Sequence, residues 1–397
     1  MLDLVEHPAR DRELSRSVGE VVAVLASFFT LSDHARYLPK ERWRNLAARL
    51  PEEREAQRDE RVASVPLSTV SRATITSEFA SEGTPDGSGS CGSTFVHEAL
   101  FYEDEAAFVA ATAPMLRTAI AGDEPALVLL NEAKVAALRD ELGADARRVQ
   151  FVDMTEAGRN PARIIPLWQR FVDENACAGR RLRGIGEAIW ATRSAPELVE
   201  CQRHEVLLNL AFAGSDFLLL CPYNTGALAE SVIEEARHSH RYLAVNGVEA
   251  PSTSYTGSAR ATARHTDPLS SPPPGANVFA FDATSIEAAR HWAARQVCES
   301  PLGKQRSAEF VVAVNEVVTN SATQGGGWGM LRLWSEDGWV IAEASDHGMI
   351  DEVMAGRLAP ALDSDRGRGL WIANQLCDLV QIRSLGDGTV VRLLSRP

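Results

Sequence analysis

The chain has 397 residues, 45% of them hydrophobic and 24% charged, a globular composition whose length allows two or three domains. With 54 acidic against 40 basic residues the formal net charge is −14, a field that repels a phosphate backbone and argues against direct nucleic-acid binding. The 28 glycines and 19 prolines are too few and too unevenly spread for a fibrous or wholly disordered chain.

Residues 1–80 read as a helical N-terminal extension. Leu14, Val18, Val21, Val22 and Leu25 recur at helical spacing, and Ser32-Asp33 would restart a helix that Pro39 interrupts. The longest apolar stretches, 21–30 and 211–220, fall short of the roughly 18–20 residues a membrane helix needs, and the second contains Asp216. Asp3, Glu6 and Asp11 are unlike the start of a secretory signal. The expectation is a cytoplasmic protein without a membrane partner. Two stretches of small polar residues, 81–93 and 248–275, read as linkers, because they cannot bury enough apolar surface to offset their ordering entropy.

Between the linkers, 94–247 alternates short apolar runs with amphipathic segments. Strands are expected at 98–102, 125–130, 149–153, 182–186 and 216–222, and helices at 106–121, 133–142, 164–178 and 196–213. That order implies a mostly parallel sheet covered on both faces. In 276–397 the order changes. Helices at 285–297 and 307–322 precede a hairpin of 329–335 and 339–344, then a helix at 370–378 and strands at 380–384 and 389–394. Helices on one face of an antiparallel-rich sheet make an α/β sandwich.

Cys91, Cys177, Cys201, Cys221, Cys298 and Cys377 contain no Cys-x-x-Cys pair, so neither a zinc site nor a disulfide framework is expected from spacing. His238 and His240 could share a metal, but no carboxylate or cysteine stands at supporting spacing.

The last segment carries chemistry. Glu316 and Asn320 lie four residues apart on an expected helix and so share a face. A carboxylate and an amide oxygen together suit a hard cation such as magnesium, and the carboxylate could also polarise a hydroxyl. Ser345-Asp346-His347-Gly348 places an acid at a strand end beside a glycine. Asp365-Arg366-Gly367-Arg368-Gly369-Leu370 then opens a helix whose N-terminus favours an anion. Each element alone has a plain structural reading, as a polar stripe or a turn.

The ordered set of Glu-x-x-x-Asn, Asp-x-Gly, Gly-x-Gly and Gly388-Thr389 resembles the nucleotide-binding domain of the GHKL (histidine-kinase-like) ATPases. Within that superfamily it looks most like the anti-sigma-factor serine kinases, above all over the run Gly367 to Asp378, and the resemblance spans 276–397. It implies ATP and Mg²⁺ as cofactors, with Asn320 binding the magnesium and Glu316 the catalytic base for an acceptor hydroxyl. Asp346 would take the adenine amino group, with room left by Gly348. Gly367 and Gly369 would flank the phosphates beneath a lid over 351–366, and Thr389 would support the adenine side. The chain departs from the pattern at Gln324, where a histidine is common, and at Ile350, where a second glycine is usual. A histidine kinase would need a phosphoacceptor histidine followed by an acid. His265 precedes Thr266 and His34 precedes Ala35, so histidine autophosphorylation is not expected.

In 94–247, Glu187 follows the strand-end sequence Gly184-Ile185-Gly186 and leads to Trp190, and Cys221-Pro222-Tyr223-Asn224 ends another strand. The carboxyl ends of parallel strands are where ligands bind. With His97 to Tyr102 opening the domain, these words resemble the MEDS sensory domain, a RecA-like α/β module of methanogen and methylotroph regulators. That resemblance implies a small-molecule signal, with Glu187, Trp190, Cys221 and Tyr223 lining a sensory pocket. The same aromatics would serve equally as core residues, with Glu187 paired to an arginine. The loop Glu103-Asp104-Glu105 after the first strand would repel phosphate, so ATP hydrolysis is not expected there, and no catalytic triad is visible.

The combined expectation is an anti-sigma-type regulator that phosphorylates a Ser or Thr of a STAS-type anti-anti-sigma partner under control of the sensory domain. A sigma factor would be its second partner, and a homodimer is common among related kinase domains. The alternative is a binding-only regulator that sequesters a partner without phosphotransfer.

Overall fold

Strand β1 (Val96–Tyr102) is buried along nearly its whole length, which places it at the centre of a sheet rather than at an edge. The computed structural model describes residues 95–175, 180–245, 248–257, 267–360 and 367–397. The expected helical extension 1–80, the linker 81–93, His34, His265 and the last residues of the expected helix 164–178 lie outside them.

After β1 come α1 (Glu105–Ala121), β2 (Ala126–Leu130), α2 (Glu132–Leu142) and β3 (Gln150–Asp153). Short helical turns lead into α3 (Ile164–Asn175), followed by β4 (Leu182–Gly186), α4 (Ala195–Ala211) and β5 (Phe217–Asn224). Caps explain the starts. Asp104 accepts from the Ala107 amide at 2.8 Å, Asn131 accepts from the Lys134 amide at 3.0 Å, and Ser194 with Glu197 forms a capping box on α4. Three elements then extend the expected pattern: α5 (Glu230–Ser239), β6 (Tyr242–Val245) and β7 (Val248–Pro251). β7 falls in the stretch read as linker. It pairs antiparallel with β6 although all four of its residues are exposed, so backbone pairing at a sheet edge, not apolar burial, orders it.

The seven strands run in the order β3-β2-β4-β5-β1-β6-β7, parallel except for β7. Alternation of side chains sorts the strands between two cores. Ala99, Phe101, Leu129, Leu219, Cys221 and Tyr223 join the core that holds α3 and α4 residues such as Trp168 and Leu207. Leu100, Tyr102, Val128, Leu130 and Leu220 join the other, with Phe108, Leu116 and Leu138 of α1 and α2.

The second sheet begins with an edge strand that sequence reading passed over, β8 (Asn277–Asp282). Helices α6 (Ile286–Cys298) and α7 (Lys304–Gln324) follow, then the hairpin β9 (Trp328–Glu336) and β10 (Trp339–Asp346). α8 (Arg368–Leu376), β11 (Leu379–Leu385) and β12 (Gly388–Ser395) complete an antiparallel sheet ordered β11-β12-β10-β9-β8. Phe310, Val314, Val317 and Val318 of α7 meet Leu331, Ala342, Ala344 and Leu393 of the strands, so all three helices cover one face.

The two sheets share one compact unit, Gly92–Pro397. Val353 and Met354 of the antiparallel half pack against the core of the parallel half. No helix among the described residues is long and apolar enough to cross a membrane.

Candidate functional site

α7 buries one stripe in the antiparallel core and leaves Glu316 and Asn320 half-buried beside it. The first turn of α8 faces them. A Cβ built on Gly369 would stand 2.9 Å from Asn320 Nδ2 and 3.2 Å from Glu316 Oε2. Any larger residue would therefore fill the space between the two helices. Gly367, the N-cap of α8, has φ +78°, a left-handed conformation that glycine adopts without strain. The free amides of this helix start point where an anion gains most. Burial raises the Glu316 carboxyl above its ordinary range, against a smaller opposing pull from Arg368.

The remaining expected residues meet at the other end of α7. Asp346 closes β10, with Gly329 and Thr389 as its cross-strand neighbours. Its Oδ1 accepts from the Gly348 amide at 2.8 Å. Gly325 caps α7 directly against this carboxylate, where a Cβ would come within 2.3 Å of Asp346 Cγ. Thr389 Oγ1 donates to the Gly348 carbonyl at 2.9 Å and lies 3.2 Å from Ser384 Oγ. Ser384 in turn accepts from the Ile350 amide at 2.9 Å, so a backbone amide holds the loop at the position where the pattern would have its second glycine. Five residues of α7, about 7.5 Å of helix, separate Asn320 from Gly325. Thus one helix carries a polar pair facing an anion-favouring helix start and, one and a half turns on, abuts a carboxylate poised for a hydrogen-bond donor.

The residues fit ATP and magnesium. The hard oxygen donors of Glu316 and Asn320 suit magnesium, and the glycines keep open a cradle that side chains would fill. The lid expected over 351–366 is described as far as residue 360, and its Arg357 is buried.

Residues 279–394 match the model of the histidine kinase-like ATPase domain, and residues 96–241 match that of MEDS, the methanogen/methylotroph, DcmR sensory domain. The chain joins a MEDS domain to a histidine kinase-like ATPase domain. No curated protein matches it significantly.

Within the MEDS domain three of the four expected sensory residues share one core, against which Trp190 packs, while Glu187 bonds a residue of the other. Cys221 and Tyr223 lie in the core on the α3–α4 side of the sheet. Glu187 bonds Tyr102 Oη at 2.7 Å and Lys134 Nζ at 2.5 Å, and the Tyr102 ring belongs to the opposite core. Its partner is thus a lysine where an arginine was the expected alternative. Trp190 is half-buried, with the Arg193 guanidinium 3.6 Å above its ring. The His238–His240 pairing also dissolves. His238 Nδ1 lies 2.7 Å from the Ser254 carbonyl, whereas His240 turns into the core beside His97, Glu205 and Cys221.

Sequence reading missed the residues that join the two domains. Arg163 donates to the carbonyls of Asn374 (2.9 Å), Gln375 (2.6 Å) and Cys377 (3.1 Å), and Asn160 adds a bond to the Asn374 carbonyl at 3.1 Å. MEDS residues therefore cap the C-terminus of the ATPase helix whose N-terminus faces Glu316 and Asn320. Glu200 of α4 meets Arg383 of β11 at 2.9 Å, Arg357 of the lid at 2.9 Å and Arg203 at 3.6 Å. Arg203 also donates to the lid carbonyl of Val353 at 3.1 Å. The available signal was weak: Glu200 and Arg203 are charged residues one turn apart in a helix whose charged and apolar residues are buried alike.

Proposed function

We propose that this protein is an anti-sigma-type regulator whose ATPase domain phosphorylates a Ser or Thr of a STAS-type anti-anti-sigma partner, with MEDS control exerted on the ATP lid. ATP would supply the phosphoryl group, and magnesium held by Asn320 would offset its charge. The observation that carries the reading is the half-buried Glu316, its carboxyl raised by burial, set against the α8 start at Gly369. Glu316 would accept the proton of the incoming hydroxyl, for which a raised carboxyl is the better base. Gly367 and Gly369 would let the α8 amides approach phosphate oxygens, and Asp346 would receive the adenine amino group, with Thr389 fixing the Gly348 carbonyl beside it. Catalysis of this kind is positioning and charge compensation.

The protein would work in the cytoplasm and release or hold a sigma factor according to the phosphorylation state of its antagonist. Pairing through the ATPase domain into a homodimer is compatible with this scheme. Labelled ATP with candidate antagonist proteins tests it. Transfer of label by the native chain, lost in Glu316→Ala while ATP binding persists, is the expected result, and full transfer by that variant would remove Glu316 as base. The departures at Gln324 and Ile350 motivate a second reading, a binding-only regulator; ATP and partner binding without any transferred label would favour it.

A further inference from the structure

Four side chains that the ATPase reading leaves unused converge in the MEDS core: His97 of β1, Glu205 of α4, Cys221 of β5 and His240 just after α5. All are buried, and one ligand atom from each lies within 4.8 Å of the others. His97 Nε2 is 3.3 Å from Glu205 Oε2 and 3.3 Å from Cys221 Sγ, and His240 Nε2 is 3.5 Å from Glu205 Oε2. Tetrahedral ligands at zinc distances of about 2.0–2.3 Å stand roughly 3.3–3.7 Å apart.

The outer hydrogen bonds fix which ring nitrogens face inward. His240 Nδ1 is 2.8 Å from the Ala236 carbonyl, an acceptor only, so Nδ1 carries a proton and Nε2 is the atom turned toward Glu205. Asn209 donates its amide to the Ser239 carbonyl at 2.9 Å, which leaves its oxygen facing His97 Nδ1 at 3.2 Å. His97 is therefore also protonated on Nδ1 and turns Nε2 toward Glu205 and Cys221. Glu205 Oε2 and His240 Nε2 are buried without a hydrogen-bond partner among the described residues. Two imidazole Nε2 atoms, a carboxylate oxygen and a thiol sulfur thus converge on one buried point. Histidines held from behind by a carbonyl or amide oxygen are the usual outer arrangement of a metal site.

We propose that His97, Glu205, Cys221 and His240 bind one divalent first-row transition ion, zinc in the first instance, in a closed four-ligand site. Two imidazoles and a thiolate select against magnesium and calcium, so the site is chemically distinct from the ATPase cradle. Burial and the Glu205 carboxylate push the Cys221 thiol well above its ordinary range, and a bound cation is what would make it a thiolate. Spacing along the chain conceals the site, because its ligands come from four separate elements that only the parallel sheet gathers.

The test uses the full chain, stripped with chelator, without nucleotide or magnesium. One equivalent of cobalt(II) should bind with a thiolate-to-metal charge-transfer band that zinc abolishes. Cys221→Ser should lose the band, and His240→Gln should weaken binding at least tenfold. Should these variants fail to fold, X-ray absorption of the zinc-loaded native chain must find one sulfur among nitrogen and oxygen ligands. A folded native chain that takes up no cobalt or zinc at micromolar concentration overturns the proposal and leaves a proton shared between Glu205 and a histidine. A thiolate band that survives in Cys221→Ser overturns it too.

Discussion

Glu316 couples activity and stability in opposite senses with pH. Its ordinary value is 4.5 and burial raises it in the fold. The unfolded chain therefore gives up this proton first, and stability falls as pH rises from about 4.5 through the higher folded value. The ionised form needed to accept a proton grows over that same upper interval. Phosphotransfer should thus rise on an acid limb displaced above the usual carboxylate range. Glu316→Gln should lower transfer by about 10²–10⁴ yet melt at least as high as the native chain at pH 8, which thermal melts at pH 5 and 8 would check. Gly369 provides a second residue-level case. Alanine at a helical position ordinarily gains about 1 kcal/mol over glycine, but here its Cβ would enter the gap before Asn320 and Glu316. Gly369→Ala should keep or raise the melting temperature while weakening ATP binding at least tenfold, measured by calorimetry; unchanged affinity would move the phosphates elsewhere.

At the scale of elements, α8 is held at both ends by different domains. Its N-terminus faces the Glu316–Asn320 pair of α7, and its C-terminal carbonyls receive Arg163 and Asn160 from the MEDS domain. A guanidinium at a helix C-terminus satisfies orphan carbonyls and opposes the negative end of the helix dipole. Arg163→Ala removes three such bonds, and at about 1–3 kcal/mol for the loss it should lower the melting temperature. It should also accelerate amide exchange over 368–376 before it affects β10 or β12. The elements themselves were largely legible. Fully apolar 126–130 and the apolar run 339–342 after the turn at Glu336-Asp337-Gly338 announced strands, and Gly367 and Gly369 marked a helix start. β7 and β8 were not, because edge strands with mostly exposed side chains carry no burial pattern for sequence reading to detect. Likewise the motif residues around ATP could be named in advance because they lie close together within short words. Arg163, Glu200 and His97 could not, since their partners are far along the chain and their identities alone are ordinary.

At the scale of the whole molecule, α4 links the buried histidine and cysteine cluster to the contacts with the ATPase domain. Its Glu205 belongs to the buried histidine and cysteine cluster, and one turn away its Arg203 and Glu200 grip the lid and β11. A shift of this helix would therefore move the MEDS core together with 351–360, the described part of the expected lid. The Glu200 carboxylate is the weak link, because it serves three guanidinium groups. Burial works against its charge, but Arg383, Arg203 and Arg357 more than offset that and hold it below the ordinary range. Its contribution to stability is thus complete above about pH 4.5 and is lost as pH falls through the lower folded value. Glu200→Gln leaves the arginines uncompensated in a buried site, at a cost of about 3–5 kcal/mol. Because Arg357 and the Val353 carbonyl tie this segment to α4 through the cluster, exchange over 351–360 should rise more than exchange in the β-sheet cores. ATP affinity should change with it, in a direction that reveals whether the MEDS contact holds the lid competent or closed against nucleotide. A variant equally destabilised everywhere, with ATP affinity untouched, would reduce Glu200 to a structural ion and break the link from sensor to lid.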